Sequence, residues 1–312
     1  MKKGALQISF GWLFAIIVGA FIIFLAIYGV TKFMGTEQET IDAKTSNEIG
    51  ILLNPLETSF ESAKTTSFSL PAESRISNGC NDRGNFGKQL ISVSQKSFNK
   101  WTETNLEASF PNKYIFSRET VEGKNFYIFS KPFDFPFKVS DLIYMTSSKE
   151  TYCFVDAPED IEDEIKTINQ ANLLTEDCSE NSINVCFSGN CDINVDYSSD
   201  GGFVEKGEEI LYFVSDSLMY AAIFADPDVY ECQLKRLMQR VKELSSIYLD
   251  KAISVNQGGC NLDINTDLIE FNRLAGNFVD SKDSDSGNIL GFSSIVEDLE
   301  DKNDAGGACG LW

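Results

Sequence analysis

Histidine is absent from all 312 residues of the sequence. Without an imidazole, the chain cannot build Ser-His-Asp or Cys-His nucleophile systems, HExxH zinc sites or imidazole proton shuttles. Positive charge is also scarce, since 26 basic residues stand against 47 acidic ones and leave a net charge of −21. A nucleic-acid backbone or an anionic lipid surface requires a basic footprint on its partner. We therefore expect no nucleic-acid partner.

Proline is rare as well, with seven residues, whereas 43% of the chain is hydrophobic. A chain of this length and composition can bury a sizeable core and is neither collagen-like nor of low complexity. It contains no Walker loop and no GxGxxG fingerprint. We therefore predict no catalytic, cofactor-binding or metal-binding residue, and no enzymatic activity.

One long hydrophobic run stands out near the N-terminus. Gly4 to Thr31 are 28 consecutive uncharged residues. A helix of about 20 apolar residues spans a bilayer core, and the run is too long for the apolar region of a cleaved secretory signal. Trp12 and Tyr28 lie near its two ends, where amphipathic rings favour the lipid headgroups. The sequence predicts a short cytoplasmic leader at 1–7 and a retained transmembrane helix at 8–31, with the lipid bilayer as partner.

Cysteine usage indicates which side of the membrane carries the rest of the chain. All eight cysteines follow the hydrophobic run, and an even number on one side is typical of disulfides in an oxidising compartment. Lys2 and Lys3 precede the run, which adds a small positive-inside bias. The alternative is eight unpaired thiols in a cytosolic domain. We predict a single-pass plasma-membrane protein with an extracellular C-terminal domain, and as disulfide candidates Cys80, Cys153, Cys178, Cys186, Cys191, Cys232, Cys260 and Cys309.

Spacing alone favours one pairing of cysteines and excludes another. Cys186 and Cys191 flank the Ser188-Gly189-Asn190 turn and are close enough to staple a hairpin, which makes them the best single pair. Cys232 and Cys260 should not pair, because a helix between them would separate them by about 40 Å.

Small residues recur along one side of the predicted membrane helix. Gly11, Ala15 and Gly19 are spaced four residues apart. Such a stripe allows a second helix to approach closely in lipid. It predicts self-association or contact with another membrane helix, and chance is the alternative.

The first residues also carry a family resemblance. The run KKGALQISFGWLFA from Lys2 to Ala15 resembles the class III signal of archaeal type IV pilin-like proteins, a basic leader followed by Gln-x-Ser-x-Glu and a hydrophobic helix. Gln7 and Ser9 match that pattern, whereas Gly11 stands at the position of the family's glutamate. It is similar, too, to the N-terminus of uncharacterised archaeal membrane-anchored surface proteins. The resemblance covers about 30 residues and implies a processed, assembling subunit.

Beyond the membrane run, the pattern changes three times. Residues 32–63 show helical apolar spacing and predict a membrane-proximal stalk kinked at Pro55. The Ser/Thr/Gly-rich stretch at 64–85 predicts a linker. Residues 86–312 predict a disulfide-bearing α+β ectodomain with an antiparallel sheet and C-terminal helices, divided near 172–182.

Within the ectodomain, Asp156 is the predicted N-cap of a helix that buries Ile161, Ile165 and Ile168. Asp226 and Pro227 open the best-marked helix, which either docks on its own sheet or joins a coiled coil. Glu122-Gly123-Lys124 predicts a hairpin turn. Aromatic and β-branched runs predict strands at 89–97, 113–118, 125–130, 137–145, 151–155, 183–197 and 203–215, and two shorter helical patterns occupy 264–278 and 289–300.

These features favour a membrane-anchored cell-surface protein with a binding, adhesion or assembly role. The first alternative is a processed pilin-like subunit. The second is an extracytoplasmic hydrolase that uses carboxylates or an activated serine, which requires a concave pocket with convergent polar groups.

Overall fold

The computed structural model describes residues 10–53, 64–97, 100–102, 107–198, 200–281 and 286–312. The chain begins with one long helix, α1 (Phe10–Leu52), of 43 residues. Its first half is the predicted membrane segment, and the helix continues without a break into the predicted stalk. Pro55 and the rest of 54–63 lie outside the described residues.

The first β-sheet is formed by the next described strands of the chain. Its order is β3-β2-β1-β6-β7-β5, and β4 pairs with residues 89–91 of β2. The strands are β1 (Lys64–Asn81), β2 (Lys88–Ser97), β3 (Lys100–Trp101), β4 (Ala108–Phe110), β5 (Ile115–Phe116), β6 (Thr120–Asp134) and β7 (Lys138–Ser147).

The predicted linker at 64–85 is wrong over most of its length, because β1 lies in the middle of this sheet. It pairs with β2 on one side and β6 on the other. Its Ser/Thr-rich sequence is compatible with a strand because the side chains alternate between a buried and a solvated face, and Ser74, Ile76 and Asn78 lie on the buried one. The predicted hairpin turn at Glu122-Gly123-Lys124 is also wrong. These residues lie inside β6, where Gly123 pairs with Ser74 beside a β-bulge.

The second sheet has the order β13-β12-β11-β10-β8-β9. The predicted antiparallel architecture holds only in part, because both sheets are mixed: β5 and β7 are parallel, and so are β9, β8, β10 and β11. Its strands are β8 (Tyr152–Val155), β9 (Leu173–Leu174), β10 (Ile183–Cys186), β11 (Ile193–Ser198), β12 (Gly201–Lys206) and β13 (Glu209–Phe213).

Five further helices complete the described fold, with 3-10 turns at Ser286–Phe292 and Gly307–Cys309. The helices are α2 (Glu159–Ile168), α3 (Asp216–Phe224), α4 (Pro227–Gln257), α5 (Asn265–Asp280) and α6 (Ser293–Ala305).

Helix α2 buries Ile161, Ile165 and Ile168, as their spacing predicts. Its N-cap is Pro158 and not Asp156. Asp156 instead adopts a left-handed backbone, with φ at 52°, and accepts a hydrogen bond from the Ser188 hydroxyl.

Helix α4 begins where Asp226 and Pro227 predict it, and Gly258 follows its last residue. The side chains that follow the 4-3-4 spacing, from Tyr230 to Val241, are buried in the protein's own core. The apolar stripe of α4 therefore docks within the chain, and no coiled-coil partner is required to cover it.

Two apolar clusters lie on opposite faces of the first sheet. The larger cluster includes Phe129 and Tyr144 of this sheet, helices α3 to α5 and the strands of the second sheet. One continuous core therefore joins both sheets across the predicted division near 172–182, and the chain passes from the first sheet to the second earlier, between Ser147 and Tyr152. The smaller cluster covers the other face and includes Ile49 and Leu53 from the end of α1.

Candidate functional site

The first half of α1 exposes its apolar side chains on all sides. The segment Gly11–Val30 has a mean hydropathy of 2.8, and none of it is buried. Trp12 and Phe24 are each 64% exposed. It is the one helix in the described part of the chain that is long and apolar enough to cross a membrane. An apolar surface of this extent is unfavourable in water and marks contact with lipid or with another protein.

The small-residue stripe lies on this exposed segment. A Cβ atom added at Gly11 or Gly19 would meet nothing within 4 Å. Ala15 is exposed as well. The stripe is thus open to a neighbouring helix, and self-association stays a prediction. Residues 1–9, which include Gln7 and Ser9 of the pilin-like signal, lie outside the described residues.

The other end of α1 is fixed to the first sheet. Ile49 is 2% exposed and Leu53 is 1% exposed, and both pack among the apolar side chains of β1, β2, β6 and β7. A helix that ends in the core of a domain holds that domain at a defined position relative to its own axis. The helix that carries the apolar segment therefore also docks on the folded domain.

All eight cysteines form disulfides, and none is free. Cys232 pairs with Cys80, and Cys260 pairs with Cys309, so the two cysteines separated by α4 do not bond to each other. The four pairs are Cys80–Cys232, Cys153–Cys178, Cys186–Cys191 and Cys260–Cys309.

Cys186 and Cys191 form the disulfide that their spacing predicts, but not across a hairpin. Strands β10 and β11 are parallel, with Val185 beside Ile193, so the bridge does not staple a hairpin. It closes the short connection between two parallel strands. Such a connection usually needs a dozen or more residues, and here it has six.

A cavity of about 300 Å³ opens at one end of the second sheet. Strands β8, β10 and β11 begin there, β12 ends there, and α3 gives way to α4. Four side chains with at most 6% exposure line its base: Tyr152, Ile193, Ile223 and Phe224. Four charged residues, all exposed or partly exposed, line the rest: Arg118, Asp192, Lys206 and Asp226.

Lys206 is the most perturbed of these charged groups. Its Nζ donates a hydrogen bond of 2.6 Å to the Ala225 carbonyl, at the negative end of α3. No described carboxylate forms an ion pair with it. Burial of the ammonium lowers the pKa of Lys206 to about 7, while the Asp226 carboxylate opposes that shift. The amine therefore titrates near neutral pH.

The neighbouring groups pair with one another. The Arg118 guanidinium lies 2.9 Å from a Glu150 carboxylate oxygen. Burial nevertheless raises the pKa of Glu150 above its usual range, because it outweighs the attraction of Arg118. Burial likewise raises the pKa of Tyr152. Asp226 accepts a hydrogen bond of 2.8 Å from the Glu119 amide.

This arrangement limits the chemistry that the cavity supports. The described residues that line it include no serine or cysteine. In the part of the chain that the structure describes, no cluster of three or more histidine, cysteine, aspartate or glutamate residues could hold a metal ion. The cavity offers hydrogen-bond donors and acceptors of both charges above an apolar base.

The chain matches no protein-family model, no curated protein and no solved structure.

Sequence reasoning did not single out Lys206 or Arg118. The sequence around Lys206 shows only a lysine at the end of a strand, before the Gly207 turn. Its Nζ meets a carbonyl 19 residues away, and Arg118 approaches from the first sheet. No local pattern signals this meeting of elements.

We expect Lys206→Met to change the pH dependence of stability. Because the folded chain lowers the pKa of Lys206 from 10.5 to about 7, only the unfolded chain holds the proton between these values. Stability of the unchanged protein should therefore rise with pH from about 7 to about 10, and the variant should lack this contribution. The groups that face the amine, Arg118, Glu150 and Asp226, are common to both proteins. The lost hydrogen bond to Ala225 adds a pH-independent offset.

The measurement is the melting temperature by circular dichroism from pH 6 to pH 10, with the full chain in detergent. The advantage of the variant over the unchanged chain should be largest at pH 7 and below and should shrink toward pH 10. Lys124→Met, at an exposed position of β6, is the matched control and should show no such trend. A constant difference across the whole range would contradict the assigned titration.

Proposed function

We propose that this chain is a single-pass membrane-anchored cell-surface protein whose disulfide-bearing α+β domain binds a ligand or partner outside the cell. The observation that carries the proposal is the unburied apolar surface of α1 from Gly11 to Val30. This segment is long enough to cross a bilayer and packs against no other described part of the chain. Lipid is the environment that would cover all of its faces.

The disulfides support the direction of insertion. Four bridges that use every cysteine persist in an oxidising compartment and are rare in the cytosol. All of them lie after the apolar segment, and Lys2 and Lys3 lie before it. Both features favour an N-terminus inside the cell and the folded domain outside.

The test labels intact cells with a membrane-impermeant amine-reactive biotin reagent and locates the label by mass spectrometry. Exposed lysines of the domain, such as Lys124 and Lys149, should be labelled in intact cells, whereas Lys2 and Lys3 should be labelled only after lysis. The lysed sample is the control for reactivity. Label on Lys2 together with protection of Lys124 would show the opposite orientation. Extraction of the protein by carbonate at high pH would contradict the membrane anchor.

A pilin-like subunit is the second candidate. The observation that favours it is that α1 joins an exposed apolar half to an end that docks on a sheet. Packing of such apolar halves against one another would bury them without lipid and would use the Gly11, Ala15 and Gly19 stripe. Mass spectrometry of the mature N-terminus separates the two candidates. An intact leader supports a permanent anchor, whereas removal of the residues before Gly4 or Leu6 supports the processed subunit.

A further inference from the structure

The cavity at Lys206 defines the ligand of the proposed external domain by its chemistry. We propose that it binds a free α-amino acid with an apolar side chain, with the zwitterionic head among Arg118, Lys206, Asp192 and Asp226 and the side chain on the apolar base. This inference rests on the proposed binding function and gives it a ligand class.

The apolar base is built before any ligand arrives. Tyr152, Ile223 and Phe224 are at most 2% exposed, and Ile193 is 6% exposed. The Phe224 ring meets the Tyr152 ring edge-on at 4.9 Å, which fixes both in place. A volume of about 300 Å³ lies at the small end of the range for ligand pockets. It suits a molecule of amino-acid size.

The charged groups carry both signs, which selects against singly charged ligands. Arg118 and Lys206 present cations, whereas Asp192 and Asp226 present carboxylates. A ligand with only a carboxylate would have no positive charge to pair with Asp192 and Asp226. A ligand with only an amine would have no negative charge to pair with Arg118 and Lys206. A zwitterion satisfies both sets at once.

Hydrogen-bonding capacity remains at the site for such a head group. An ammonium has three N–H donors, and Lys206 uses one of them on the Ala225 carbonyl. Asp192 accepts two hydrogen bonds from Asn184, from its backbone amide and its side chain, and both reach Oδ2. Asp226 accepts the Glu119 amide at Oδ2. Within the described residues, no hydrogen bond reaches the second oxygen of either carboxylate, which a ligand ammonium could therefore use.

The ionisation of Lys206 is consistent with this role. With its pKa lowered to about 7, the amine carries only part of its charge at neutral pH. A bound carboxylate stabilises the charged form, so ligand binding should draw a proton onto Lys206. Binding near pH 8 is therefore expected to take up protons from the buffer.

The experiment is isothermal titration calorimetry of the full chain in detergent with three probes: L-leucine, 4-methylpentanoate, which lacks the ammonium, and 3-methylbutylamine, which lacks the carboxylate. L-leucine should bind with a dissociation constant below about 1 mM, and each analogue should bind at least about tenfold more weakly, because one charged hydrogen-bonded group is lost. Absence of leucine binding, or equal affinity for either analogue, would overturn the proposal.

Variants assign the binding to this cavity. Lys206→Met and Asp192→Asn should each weaken L-leucine binding by about tenfold or more. Asparagine keeps an oxygen for the Asn184 amide, so Asp192→Asn tests the charge with little effect on the fold. Lys124→Met is the matched control and should bind as the unchanged chain does. If both Lys206→Met and Asp192→Asn bound L-leucine with unchanged affinity, the ligand would bind elsewhere and the inference would be wrong.

The two proposals fail separately. Titration is measured on purified protein and does not depend on membrane orientation, whereas surface labelling is measured on cells without ligand. Loss of one result leaves the other intact.

Discussion

Replacing both Cys80 and Cys232 with serine is expected to lower the free energy of unfolding by about 5 kcal/mol. This bridge spans 152 residues of sequence and joins β1 of the first sheet to α4. Cross-linking two distant positions removes conformations mainly from the unfolded chain, and the effect grows with the length of the loop. A change of this size approaches the whole stability of an ordinary domain.

The Cys186–Cys191 bridge is the internal control, because it spans only five residues. Replacing that pair with serine should cost about 2 kcal/mol by the same relation. Both double variants are compared by chemical denaturation of the full chain in detergent, followed by circular dichroism. If the short bridge proved to be as important as the long one, closure of the long loop would not be the source of its stabilisation.

Replacing Arg236 with alanine is expected to cost about 3 to 5 kcal/mol. The side chain is 1% exposed and lies between α4 and the first sheet. Its guanidinium donates to the carbonyls of Phe86, Pro111 and Lys113 at 2.9 to 3.1 Å and to Gln233 at 2.6 Å.

Removal of Arg236 would leave these acceptors unsatisfied inside the protein. Each hydrogen bond to a charged group contributes roughly 1.5 to 3 kcal/mol, and a buried acceptor without a partner adds a further cost. Burial lowers the pKa of Arg236 to about 10, so the group stays charged at neutral pH and its hydrogen bonds keep their strength.

Arg273→Ala is the matched control. Arg273 pairs with Glu270 three residues earlier on α5, and its side chain is 57% exposed. Exposed pairs of this kind contribute little, so the control should change the free energy of unfolding by less than about 0.5 kcal/mol. The two variants are measured together by denaturant titration. Equal effects would show that the buried contacts of Arg236 do not hold α4 on the sheet.

The sequence predicted those elements whose signals are local. Helix α4 carries a capping aspartate, an early proline and a regular apolar stripe, and it begins where these signals place it. The buried face of α2 follows from three isoleucines. Both helices keep one side in solvent, so their apolar residues recur with the helical period.

Two elements whose local sequence lacks a clear helix or strand signal were missed. Helix α3 is buried from Ser217 to Phe224, so it shows no helical period, and no element was predicted between the strand at 203–215 and Asp226. Strand β1 was taken for a linker because its serines and threonines resemble a loop, although its neighbours on both sides supply hydrogen-bond partners. In each case the tertiary surroundings decided the structure, and no short stretch of sequence contains them.

The candidate cavity could not be predicted for a related reason. Its charged groups come from the start of β11, the end of β12, the start of α4 and the segment after β5, which are separated by up to about a hundred residues. The antiparallel pairing of β12 with β11 places Lys206 beside the start of β11, whereas Arg118 and Asp226 come from other elements. No short stretch of sequence contains all of them.

Because one end of α1 docks on the first sheet, the length of the helix sets the distance between the apolar segment and that sheet. From Val30 to Ile49 there are 19 residues, and at 1.5 Å per residue they span about 29 Å. Ile49 and Leu53 pack on the first sheet at the far end of this span. Rotation of the apolar segment Gly11–Val30 about the helix axis would therefore rotate the folded domain with it. Two such helices in contact would set the angle at which their domains face each other.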